Sequence, residues 1–148
     1  MAREQPKRER GPIVVLDQKM LDFIAAQRSA IMVTTRKDGS SHTARITAGV
    51  VDGKIWVTGT QTRVRTKHLR ANPKASLAVF ESSGTGRWLG IEAVVTIHEG
   101  PDAPQQCLAL RRAAGQEPED VDAFLRQMVE QERLVYEFEP TRAYGRYE

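Results

Sequence analysis

Two Asp-Gly dipeptides, Asp38-Gly39 and Asp52-Gly53, constrain this chain more than any other feature. Asp-Gly supplies the positive-φ positions of a tight hairpin turn, so the β-branched runs that flank it must pair antiparallel. Residues 30–36 (AIMVTTR), 42–51 and 54–59 (KIWVTG) are such runs, and a three-strand meander follows. Residues 75–81 (ASLAVFE) and 88–98 (WLGIEAVVTIH) read as two more strands around the turn-rich Ser82-Ser83-Gly84-Thr85-Gly86. Residues 133–139 (RLVYEFE) alternate apolar and polar, and Pro140 is expected to stop that sixth strand. Six short strands joined mostly by hairpins, with a few helices, predict a mainly β fold: a six-stranded antiparallel barrel, whose closure removes exposed edges.

Helix signals fill the gaps. Asp17 is placed to cap a helix reaching about Gln27, with Leu16 stapled against Leu21. Thr62 is placed to cap a helix over 62–71, which must stop before Asn72-Pro73. Asp102 is expected to cap a helix to about Ala114, and Pro118-Glu119-Asp120 to open another through Val129. Residues 1–12 are polar with two prolines and read as a flexible N-terminal arm, leaving 13–148 as one domain. A chain of 148 residues, 40% hydrophobic, is enough for one core and too short for a second large domain. One cysteine, no apolar run near ~20 residues and no apolar leader segment predict a cytoplasmic protein without a membrane span.

Twenty-two cations against nineteen acids leave a net charge of only +3, so distribution matters more than the sum. Between Gly53 and Phe80 stand Lys54, Arg63, Arg65, Lys67, Arg70 and Lys74, with no acid at all. From Glu99 to Glu139 the balance reverses to ten acids against four arginines. The segment from Thr60 to Arg70 joins a strand end to a helix start, where unsatisfied N–H groups and nearby cations suit a phosphate. If residues 62–65 stay extended, Arg63 and Arg65 point the same way. His68 is placed to join such a site, and the hydroxyls of Thr60, Thr62 and Thr66 to complete it.

Other chemistries find less support. His42, His68 and His98 lack metal-ligand spacing, so no metal is expected. Cys107 lies in an Ala- and Leu-rich helical pattern and reads as a small core residue, as do Met20, Met32 and Met128. Aromatics total 6% and none lies between Gln61 and Asn72, which argues against a nucleic-acid partner.

The ordered motifs TTxxDGxxH, VDGKIWVTGT, RxRTxHLRxNPxASLAVF and GRWLGIE, with a weaker TRAYG near the end, carry a family resemblance over about residues 17–98. The chain resembles the split β-barrel flavin and deazaflavin oxidoreductases related to pyridoxamine 5'-phosphate oxidase. That resemblance implies a homodimer with a cofactor in the groove between two barrels. It assigns the cofactor phosphate to Arg63, Arg65 and Lys67, and the backbone beside the flavin ring to Arg45, Ile46 and Thr47 and to Thr58 through Thr60. Trp88, whose indole offers a flat apolar face, matches an aromatic that approaches the cofactor, often from the other subunit; core packing is the competing reading.

Arg-x-Arg-x-Lys, Arg-Trp-Leu-Gly-Ile-Glu and the C-terminal Tyr-Gly most resemble the branch using the deazaflavin coenzyme F420, with FMN as the alternative. The polyanionic tail of F420 suits a basic groove better than the single phosphate of FMN. The expected function is hydride transfer to an unsaturated or carbonyl small molecule. A non-catalytic F420 carrier, or an FMN protein like pyridoxamine 5'-phosphate oxidase, are the alternatives. The C-terminal Arg-x-His signature of a true pyridoxamine phosphate oxidase is absent, and no protein nucleophile is assigned. A product proton is expected from a tyrosine such as Tyr144 or from water.

Overall fold

A computed structural model describes residues 14–148; the predicted N-terminal arm, 1–12, lies outside them. The chain forms α1 (Gln18–Gln27), β1 (Ser29–Thr35), β2 (Ser41–Val51), β3 (Lys54–Thr60), α2 (Val64–Ala71), β4 (Lys74–Phe80), β5 (Trp88–His98), α3 (Ala103–Ala113), α4 (Val121–Glu130) and β6 (Arg133–Arg146). The six strands close into an antiparallel barrel in the order β1-β2-β3-β6-β5-β4. Gly39 and Gly53 turn the two hairpins with φ of 87° and 77°, as the Asp-Gly pairs require.

Alternate residues of every strand fill the barrel: Met32, Ile55, Leu77, Ile91, Tyr136 and Phe138 are all buried there. Phe23 and Ile24 of α1 join this core beside the start of β1, and Leu69 of α2 joins it from the other end, where His68 Nδ1 lies 2.9 Å from the Thr34 hydroxyl. A second apolar cluster lies outside the barrel. Cys107 and Leu108 of α3 and Phe124 and Met128 of α4 cover Trp56 and Val135, the outward residues of β3 and β6. Cys107, Met32 and Met128 are therefore buried. No helix is long and apolar enough to cross a membrane among the described residues.

Three local expectations are corrected. The sixth strand does not end at Pro140 but runs to Arg146, pairing along nearly all of β5. Ala93 faces Pro140 while Glu92 faces Arg142, so Thr141 is an extra residue at a bulge and its hydroxyl donates to the Glu92 carbonyl at 3.2 Å. A bulge is where a strand tolerates a residue without an N–H. Thr62 does not cap α2: Arg63 occupies that position in extended backbone with no side-chain bond. Thr66 supplies the link instead, donating to the Thr60 carbonyl at 2.7 Å. Asp102 precedes α3 with helical backbone and makes no capping bond, and α4 opens three residues after Pro118, capped by Asp120 onto the Ala123 N–H at 3.0 Å. Asp17 caps α1 as expected, accepting from Met20 N–H at 2.9 Å.

Candidate functional site

β3 ends at Thr60 beside Arg133 of β6, and the chain then turns through Gln61 into α2. Thr66 fixes that turn: wholly buried, its hydroxyl bonds the Thr60 carbonyl and meets the Tyr136 hydroxyl inside the barrel. Gly59 is required here because a Cβ would collide with the Tyr136 ring. The start of α2 is thus pinned to β3 and β6. No acid lies in its first turn, so the positive end of the helix is uncompensated.

The six cations of the basic segment are not equivalent. Lys54 pairs with Glu137 at 3.8 Å, and Arg70 with Glu99 at 2.7 Å. Arg63, Arg65 and Lys67 have no ion-pair partner among the described residues. Arg65 belongs to the helix, not to an extended segment, so it does not point with Arg63. Arg63 at the N-cap and Lys67 in the first turn are both exposed, and the Lys67 N–H donates to the Arg63 carbonyl at 3.4 Å. Arg65 is half-buried and its Nε is buried without a hydrogen-bond partner among the described residues. Such a donor calls for an acceptor. His68 stands apart from these cations: its Nδ1 faces Thr34, and burial, His42 and Arg36 lower its pKa.

The outer faces of β2 and β3 continue from Thr60 into a cavity of about 280 Å³ roofed by α3 and α4. Thr47 and Thr58 line it, whereas Ile46 points into the core and offers only its backbone. Arg45 lies on the exposed side of β2, its Nε donating to Ser29 at 3.1 Å. Arg28, Arg111 and Arg133 also face the cavity. Sequence patterning gave no sign of these three, because they come from three separate elements that only the tertiary fold brings together.

Trp88 is 43% exposed, which removes core packing as its role. Its ring meets Tyr144 edge-on at 6.0 Å, with exposed Phe80 opposite it in the strand register. Arg87 beside it lies 5.5 Å over Phe23 of α1, so Trp88 occupies the α1 rim of the barrel. His98, ten residues along β5, lies near the α2 rim, where Glu99 holds Arg70. Ten residues of extended strand, about 33 Å of chain at ~3.3 Å each, separate the two along β5. Among the described residues, the ring contact of Trp88 is with Tyr144, and it has none with the basic segment.

A family model for pyridoxamine 5'-phosphate oxidase matches residues 16–147. The chain belongs to this family, and its barrel is the family's six-stranded one. No curated protein matches it. Among solved structures it is similar to a conserved hypothetical protein from Mycobacterium tuberculosis, at 22% identity and TM-score 0.77 over 91% of this chain and 86% of that one. A structure titled F420 reductase gives 18% identity and TM-score 0.66 over 83% and 94%. The haem storage protein HutZ from Vibrio cholerae gives 14% and 0.67 over 90% and 96%. At these identities the likeness shows the fold.

Proposed function

We propose that this chain is an oxidoreductase that binds coenzyme F420 and passes hydride to an unsaturated or carbonyl small molecule. The observation that carries this reading is the division of the basic segment: Lys54 and Arg70 have carboxylate partners, while Arg63, Arg65 and Lys67 at the start of α2 have none. Unpaired cations at an uncompensated helix start match a bound phosphate. The buried Nε of Arg65 fits the same group. An F420 phosphate with its polyglutamate tail uses several cations, which favours it over FMN.

When bound, the reduced deazaflavin supplies the hydride, and the protein supplies orientation and electrostatics. Arg63, Arg65 and Lys67 neutralise the phosphate; the backbone of Arg45, Ile46 and Thr47 and of Thr58 through Thr60 flanks the ring. Trp88 walls the ring pocket of a second copy, since in its own chain its ring meets Tyr144 and not the basic segment. The exposed Phe80, Trp88 and Tyr144 at one rim are consistent with a homodimer that covers them.

Titration of the purified protein with oxidised F420, FMN and haemin tests the cofactor choice. F420 is expected to bind most tightly, and reduced F420 to be consumed in a screen of enones and quinones. Tight binding without turnover would indicate a carrier.

A further inference from the structure

The cavity under α3 has a chemical character of its own. Leu110, Phe124 and Met128 give it apolar walls, and Arg28, Arg111 and Arg133 are its only charged lining. None of the three has a carboxylate partner among the described residues. Neighbouring Arg112 does, binding Glu117 through two contacts of 2.8 Å, which engages the acid whose charge interacts with Arg111.

The arginines are also held in place. Arg28 donates to the Ala114 carbonyl at 2.8 Å, Arg133 Nε donates to Gln131 Oε1 at 2.8 Å, and the Arg111 guanidinium lies 5.2 Å over the Phe124 ring. Each guanidinium carries five N–H donors, so these contacts leave several free. Three like charges thus border one apolar space, an arrangement that suits an anion. A volume of about 280 Å³ lies just below the roughly 300–1,000 Å³ of drug-sized ligand cavities, so it suits a small molecule.

We infer that this cavity binds a small amphipathic carboxylate, its apolar body between α3 and α4 and its carboxylate among Arg28, Arg111 and Arg133. That this anion is the hydride acceptor rests on the deazaflavin reading, because Thr47 and Thr58 belong both to the cavity and to the assigned ring site. Its binding does not rest on that reading.

The test is calorimetric titration of the full chain, without added cofactor, with benzoate, cinnamate and octanoate, each against its uncharged amide. At least one carboxylate is expected to bind more than about tenfold tighter than its amide, a difference of ~1.4 kcal/mol. Arg111→Gln and Arg133→Gln are each expected to reduce that preference severalfold, while Lys37→Ala, in the exposed turn between β1 and β2, leaves it unchanged. Equal affinities within all three pairs, or a preference untouched by both cavity variants, would overturn the inference. Failure of F420 to bind while the carboxylate preference persists would remove the cofactor reading alone.

Discussion

The Arg70 guanidinium donates to the Glu99 carboxylate at 2.7 Å, tying the last turn of α2 to the residue after β5. A second N–H reaches Gln61 Oε1 at 2.6 Å, so Arg70 is part of the frame that holds the α2 entry. Glu99's pKa is lowered chiefly by this hydrogen bond. Both partners are about two-fifths exposed, 42% and 43%, and such pairs contribute ~0–1 kcal/mol. Arg70→Ala is therefore expected to cost less than about 1 kcal/mol in urea unfolding and to shift F420 affinity by less than about threefold. A larger loss of affinity would place Arg70 among the phosphate ligands.

Thr66 and Tyr136 form the buried joint beneath the basic segment. Thr66→Val leaves the Thr60 carbonyl only its bond from the Arg63 N–H at 3.3 Å and deprives the buried Tyr136 hydroxyl oxygen of its partner, at an expected cost of about 1–3 kcal/mol. Tyr136→Phe removes that hydroxyl oxygen, so the double variant should be more stable than the sum of the singles predicts. A double-mutant cycle by chemical denaturation reads this coupling. Strict additivity would mean that the two hydroxyls do not act together.

Much of the barrel was legible because its signals are local. Asp38-Gly39 and Asp52-Gly53 set two hairpins by turn chemistry, and Asp17 set the start of α1 by capping. Pro140 misled because a proline normally ends ladder pairing, and the bulge at Thr141 that accommodates it is defined only by pairing with β5, distant in sequence. Arg63, Arg65 and Lys67 were legible as a cluster. Arg65's separation from Arg63 was not, since it depends on the helix starting at Val64. The cavity arginines and the roof of α3 and α4 over β3 were invisible for the same reason: their meeting is tertiary.

Glu81 and Arg87 clasp the turn that leads into Trp88. Glu81 accepts from Arg87 Nε at 2.5 Å, Ser83 at 2.5 Å and Thr85 at 2.8 Å, and these bonds hold its carboxyl down at about 2. The unfolded carboxyl titrates near 4.5, so the folded state binds the proton more weakly. The clasp's contribution is therefore present above about pH 4.5 and is lost as pH falls toward 2. Carbon-detected NMR titration should place the Glu81 midpoint near 2, and Arg87→Ala should raise it toward 4.5. An unmoved midpoint would assign the shift to Ser83 and Thr85 alone.

The central claim is that unpaired cations at the start of α2 hold a cofactor phosphate. The most direct measurement is equilibrium titration of coenzyme F420, followed by its own fluorescence, into the wild-type protein and Arg65→Ala. Binding below ~100 μM is expected for the wild type. The variant should lose about 1–3 kcal/mol of affinity through one charge-assisted contact, with its unfolding midpoint unchanged. Equal affinity in the two proteins, or no binding to either, would contradict the claim.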